Sequence, residues 1–122
     1  MGPVLIVDDN LINREVLARK LVKKGFTVIE AEKGEEVNGL VLKEGPSIVI
    51  MDLNMPGKDG WAVCRELKSN PNTKGTPVIA LTASYLDDGL KSKMDDAGFD
   101  GYLSKPADTG ALLELISEKV QA

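Results

Sequence analysis

The sequence predicts an α/β protein, a doubly wound, five-stranded parallel sheet flanked by five helices. Two observations carry this expectation. Short apolar runs and helical patterns alternate along the whole chain, the mark of repeated strand–helix units. The runs are also continuously apolar, as in parallel strands that helices cover on both faces. A length of 122 residues suits one domain spanning 1–122.

The first strand is expected over residues 3–7, where Val4, Leu5, Ile6 and Val7 follow Pro3. A helix follows over 11–24, with Ile12, Val16, Leu17 and Leu21 as its apolar stripe; Lys23, Lys24 and Gly25 form a favourable C-terminus. Residues 26–31 form the second strand, and a weaker helix, interrupted by Gly39, covers 35–43. The third and most apolar strand is 47–51. A loop over 53–58 leads to a helix over 60–69. After a polar, turn-rich connection, the fourth strand is 77–81. A helix over 85–97 is weakened by Gly89. The fifth strand is 101–104, and a last helix over 111–120 places Leu112, Ile116 and Val120 at helical spacing.

Ligands of doubly wound sheets sit beyond the carboxyl ends of the strands, so the residues ending each strand matter most. Those are Asp8 and Asp9 on the first strand, Asp52 on the third, Thr82 on the fourth and Lys105 on the fifth. Singly, each has a plain reading: aspartates and threonine as helix caps, lysine before Pro106 as a turn residue. Together they place three carboxylates, a hydroxyl and an ammonium at one edge. Clustered carboxylates call for a hard divalent cation such as Mg²⁺. An aspartate can itself attack phosphorus to form an acyl phosphate. The charge spread over a transferring phosphoryl group needs only a metal, a lysine and hydrogen-bond donors.

Composition narrows the alternatives. The chain has no histidine, which removes His-ligated zinc, His-based triads and a phosphohistidine of its own. A net charge of −4 with no lysine- or arginine-rich run speaks against direct binding to nucleic acid or an anionic membrane. The lone Cys64 cannot form an internal disulfide, which suits a reducing, cytoplasmic setting. Its spacing with Trp61 and Leu67 reads as core packing. The first apolar run is cut off by Asp8 and Asp9, so neither a signal peptide nor a membrane span is expected. The glycines match neither GxGxxG nor a P-loop.

Four segments, VLIVDDN (4–10), SIVIMDLNMPGKDG (47–60), PVIALTAS (77–84) and GYLSKP (101–106), resemble the signature stretches of response-regulator receiver domains. The resemblance covers the whole chain. It implies the flavodoxin-like strand order 2-1-3-4-5, an order for which a member of this family is a standard example. It also implies Asp52 as phosphoacceptor, Asp9 as a direct metal ligand, Asp8 as a ligand largely through water, and Asn54 as the source of a backbone carbonyl ligand. Thr82 and Lys105 match residues that contact phosphoryl oxygens. Tyr102 matches an aromatic that turns inward when Thr82 engages the phosphate, and the Lys105–Pro106 bond resembles a family cis peptide.

The implied function is a signalling switch rather than a turnover enzyme. A sensor histidine kinase or histidine phosphotransfer protein donates the phosphoryl group, the face around the fourth helix, fifth strand and fifth helix changes, and Asp52 slowly dephosphorylates itself. A downstream protein reads the result. Lys58 departs from the apolar residue common at its position and is expected to alter a partner surface. Asn10, Asn13 and Arg14 resemble receivers of hybrid kinases and phosphorelays. The charged run from Asp87 to Asp96 is either a solvated helix face or a partner contact.

Two other functions compete with the switch. A haloacid-dehalogenase-type phosphatase also uses an aspartate nucleophile, but it carries a second aspartate two residues later, where this chain has Asn54. A binding module without phosphorylation would not require every chemical group found here. The last helix ends the sequence, so no output domain is expected within it.

Overall fold

The computed structural model describes residues 2–120. Five strands, β1 (Val4–Val7), β2 (Val28–Ala31), β3 (Ile48–Asp52), β4 (Val78–Thr82) and β5 (Gly101–Ser104), form one parallel sheet in the order β2-β1-β3-β4-β5. The helices between and after them are α1 (Leu11–Lys23), α2 (Val37–Glu44), α3 (Gly60–Ser69), α4 (Asp88–Ala97) and α5 (Thr109–Val120). This is the predicted doubly wound architecture. The three central strands β1, β3 and β4 are buried at every position, which explains their unbroken apolar sequences.

Two apolar layers clothe the sheet. Odd-numbered residues such as Leu5, Val7, Val49 and Met51 pack with Val41 of α2, Leu67 of α3 and Met94 of α4. Even-numbered residues such as Val4, Ile6, Ile48 and Ile50 pack with Leu21 of α1 and Ile116 of α5. The switch between layers from one residue to the next is the two-residue period of a strand. On β4 the parity reverses, with Val78 and Ala80 in the first layer and Ile79 and Leu81 in the second.

Four helices are opened by side chains that accept from the backbone three residues on: Asn10 from the Asn13 N–H, Asp59 from Ala62, Asp87 from Leu90 and Asp108 from Ala111. The cap at Asp87 corrects the predicted start of α4. Tyr85, expected inside the helix, stands before it and is 84% exposed. The second strand is also shorter than expected, because the Phe26 amide donates back to the Leu21 carbonyl and residues 26–27 complete the turn out of α1. A short 3₁₀ turn, Gly34–Glu36, precedes α2, so that helix begins at Val37 rather than 35. α5 begins two residues before its predicted start.

The expected apolar stripe of α1 is wrong in half of its members. Ile12 and Val16 are 71% and 47% exposed, while Arg14, Ala18 and Leu21 are buried. Spacings of four and three put these last residues on one arc. Hydropathy counting misses that arc because its first member is an arginine, whose polar atoms find partners inside.

Candidate functional site

The carboxyl ends of β1, β3, β4 and β5 meet at one edge of the sheet. Asp52 is the last residue of β3 and Thr82 the last of β4, while Asp8 and Lys105 directly follow β1 and β5. Asp8, Asp52 and Thr82 are 5%, 6% and 1% exposed, and Asp9 is exposed. One carboxylate oxygen from each of Asp8, Asp9 and Asp52 lies within 4.8 Å of the others.

Lys105 enters this cluster from the far side of β4. Its Nζ donates to Asp52 Oδ2 at 3.0 Å and to Asp8 Oδ2 at 3.2 Å. Burial pulls its pKa down, but the hydrogen bond and charge of Asp52, followed by those of Asp8, outweigh burial and hold it above the usual lysine value. The ammonium is therefore charged at neutral pH. One cation against three carboxylates leaves the edge acidic, a donor set of hard oxygens that fits a divalent cation such as Mg²⁺.

The aspartates also organise the surrounding backbone. Asp52 Oδ1 accepts from the Asn54 N–H at 3.0 Å, turning the chain sharply after β3. Asp8 Oδ1 accepts from the Asn10 N–H at 2.9 Å. Asn10, not Asp8 or Asp9, caps α1, and Asp87 rather than Thr82 caps α4. The plain capping roles available to these site residues are thus filled by others.

Thr82 Oγ1 accepts from the Ser84 N–H at 3.0 Å, and the Thr82 carbonyl accepts from the Lys105 amide at 2.8 Å. Alternation along β4 puts Thr82 on the same face as Ala80, the strand partner of Tyr102. Tyr102 is half-buried against the layer containing Met94 and Phe99. The peptide bond between Lys105 and Pro106 is cis.

The comparisons with known proteins agree with this geometry. The family model described as response regulator receiver domain matches residues 4–117. The chain belongs to that family. It is 36% identical to the PilH protein of Pseudomonas aeruginosa over 118 residues, covering 96% of each. It spans only 23% of the response regulator PleD of Caulobacter vibrioides and 47% of MprA of Mycolicibacterium vanbaalenii. Its fold superposes on the chemotaxis protein CheY4 of Vibrio cholerae with a TM-score of 0.88 at 28% identity, covering 97% of this chain and 98% of that one. The receiver domain of the sensor histidine kinase PA1611 of Pseudomonas aeruginosa, solved with a magnesium ion in its active-site cleft, gives 0.88 at 27% identity and covers 99% and 98%. The protein is thus a receiver domain of two-component signalling.

Several other residues of this receiver domain shape the site. Lys58 pairs with Glu66 of α3, whose other oxygen accepts from Asn38 Nδ2 of α2 at 2.7 Å, so the loop after Asp52 is tied down to both helices. Gly60 is required by close approach: a Cβ there would sit 2.6 Å from the Asp52 carbonyl oxygen. Arg14, read from the sequence only as a mark of subclass, reaches the backbone of Asp8. Its spacing from Ala18 and Leu21 was the available signal. No described helix is long and apolar enough to cross a membrane.

Proposed function

We propose that residues 1–122 form one receiver domain that accepts a phosphoryl group on Asp52 from a phosphohistidine, with Mg²⁺ bound by Asp8, Asp9, Asp52 and the Asn54 carbonyl. The observation that carries this reading is the position of the Asp52 carboxylate, buried at the end of β3 between two other carboxylates and an ammonium. The magnesium in the cleft of the PA1611 receiver domain supports the metal assignment. When bound, Mg²⁺ supplies positive charge to the phosphoryl oxygens and offsets the repulsion among the three aspartates.

The chain's own residues do the rest. Asp52 attacks phosphorus, its new O–P bond replaces the donor's N–P bond, and the imidazole leaves. Lys105, already against Asp52, moves its hydrogen bond onto a phosphoryl oxygen. The Thr82 hydroxyl leaves Ser84 and donates to another. Tyr102 then turns into the space that Thr82 vacates and carries the change to the face of α4, β5 and α5. Asn54, at the place where a phosphatase would hold a second aspartate, cannot act as an acid or base, in keeping with slow self-dephosphorylation rather than turnover.

The donor is a sensor histidine kinase or a histidine phosphotransfer protein. Its docking face is suggested by Leu11, Ile12 and Val16, large apolar residues exposed on α1 beside the site. A groove of about 360 Å³ runs from Val16 and Leu17 to Asp8, Lys105 and Pro106. A downstream protein reads the phosphorylated face, with no direct nucleic-acid or membrane contact. The lone, unpaired Cys64 suits the cytoplasm. The test is incubation with Mg²⁺ and acetyl phosphate, followed by intact-mass measurement. One phosphoryl adduct is expected, labile as an acyl phosphate and absent from Asp52→Asn. Persistence of the adduct in that variant defeats the assignment.

A further inference from the structure

Asp8 is held at every polar atom, each by a different part of the chain. Its amide donates to the Ala31 carbonyl of β2 at 3.1 Å. Its two carboxylate oxygens accept from Asn10 and Lys105. Its carbonyl accepts from Arg14 Nη1 at 2.7 Å, a buried bond, while Arg14 Nε donates to Glu30 Oε1 of β2 at 2.9 Å. Asp9 has no such anchoring: it is exposed, and Lys105 pairs with Asp8 and Asp52 but not with it. What determines where Asp9 points is the backbone that delivers it.

The Asp8 carbonyl belongs to the planar peptide unit that joins Asp8 to Asp9, so gripping that oxygen sets the plane from which Asp9 departs. We propose that Arg14 is a positioning residue of the cation site: its fork, braced on Glu30, fixes the Asp8–Asp9 peptide plane and presets the Asp9 carboxylate beside Asp52. This inference rests on the metal-binding reading above.

The geometry suits arginine in particular. The guanidinium offers several donors in a rigid plane, so Nε and Nη1 can hold a β2 carboxylate and the carbonyl that follows β1 at once, which a single ammonium does with less direction. Arg14 also lies on the buried arc of α1, in line with Ala18 and Leu21. The first turn of α1 and the ends of β1 and β2 are thereby joined through one side chain.

Charge alone predicts the opposite outcome from positioning, which makes the proposal testable by sign. Arg14 is a cation near a cation site, so its removal should tighten Mg²⁺ binding if only charge mattered. If it positions Asp9, its removal weakens binding; loss of a hydrogen-bonding partner behind a metal ligand costs roughly 10-fold or more.

The experiment is Mg²⁺ titration of the folded protein, followed by amide NMR shifts around Asp9 and Asp52, for the unmutated chain, Arg14→Ala, Arg14→Lys and Leu21→Ala. Arg14→Ala is expected to bind about 10-fold more weakly, and Arg14→Lys, with charge unchanged, to fall between it and the unmutated chain. Leu21→Ala loosens α1 without touching Asp8 and should lower the melting temperature while keeping Mg²⁺ affinity. Either Arg14 variant binding as tightly as the unmutated chain, or Leu21→Ala weakening binding as much as Arg14→Ala, overturns the proposal. Absence of Mg²⁺ binding by the unmutated chain overturns the metal reading with it.

Discussion

Lys105 Nζ reaches across β4 to place a hydrogen bond of 3.0 Å on Asp52 Oδ2, joining residues 53 positions apart in the chain. The same ammonium touches Asp8, and the Lys105 amide donates to the Thr82 carbonyl. One residue therefore couples the ends of β1, β3, β4 and β5.

Removing this cation should cost stability, because Asp8 and Asp52 would remain buried carboxylates without their counter-ion. Lys105→Met is expected to lower the unfolding free energy by about 1–3 kcal/mol in metal-free buffer. Adding Asp52→Asn to that variant should recover part of the loss. Urea unfolding of the two single variants and the double variant measures the coupling; strict additivity would show that the pair contributes nothing.

Asp9 behaves differently from Asp52, since no lysine offsets its charge. Asp9→Ala should therefore stabilise the metal-free protein, by up to about 1 kcal/mol given its exposure, and weaken Mg²⁺ binding. Asp52→Ala takes from the Lys105 ammonium one of its two carboxylate partners and should not show the same gain. Melting curves in EDTA and in Mg²⁺ distinguish them, and equal shifts for the two variants would contradict the geometry.

Thr82→Ala separates the reaction from its readout. Asp52 and Lys105 remain, so acetyl phosphate should still label the variant. The hydroxyl that accepts from the Ser84 amide, and that would turn to the phosphate, is gone. Amide NMR with and without beryllofluoride should show the unmutated chain shifting over 84–102 and the variant shifting little there. Matching shifts in both would remove Thr82 from the signal path.

Gly60→Ala tests how tightly the first turn of α3 is packed beneath Asp52. The new Cβ would meet the Asp52 carbonyl oxygen at 2.6 Å and the Leu53 Cα at 3.0 Å, both backbone atoms that cannot swing aside. A loss of about 1–3 kcal/mol is expected, together with weaker Mg²⁺ binding as Asp52 is displaced. A variant as stable as the unmutated chain would mean that α3 can retreat freely.

Cys64 should be inert in the native protein. It is fully buried, and burial pushes its thiol up to about 12 from 9.0. Its folded pKa lies above the unfolded one, so the native state loses stability as pH rises above about 9 and the unfolded thiol ionises. A thiol-specific colorimetric reagent at pH 8 should react only as fast as the chain opens. Immediate stoichiometric reaction would place the thiol at the surface.

Much of the protein could be read from its residues because the responsible forces are local. Unbroken apolar runs marked β1, β3 and β4, since strands covered on both faces admit no polar alternation. The alternation of strand and helix required a parallel sheet, and a parallel sheet gathers its strand ends at one edge. That brought Asp8, Asp9, Asp52, Thr82 and Lys105 into view as a group. Local chemistry was also harder to read where two signals competed. Tyr85 and Leu86 extended an apolar pattern beyond the true start of α4, although the Asp87 side chain ends that extension by capping the helix.

Tertiary structure decided what depended on partners distant in sequence. Ile12 and Val16 look like core residues, yet Arg14 takes the inward arc of α1 because the Asp8 carbonyl and Glu30 satisfy its guanidinium there. Lys105 could have been a solvated lysine until β5 was set beside β4, which brings its Nζ within reach of two buried carboxylates. Gly60 looked like an ordinary helix start until α3 was laid against the Asp52 carbonyl. Hydropathy and spacing record what a side chain prefers in isolation. Whether a charge turns inward is settled only when packing supplies its partner, because burial of an ion is tolerable when its hydrogen bonds are met and costly when they are not.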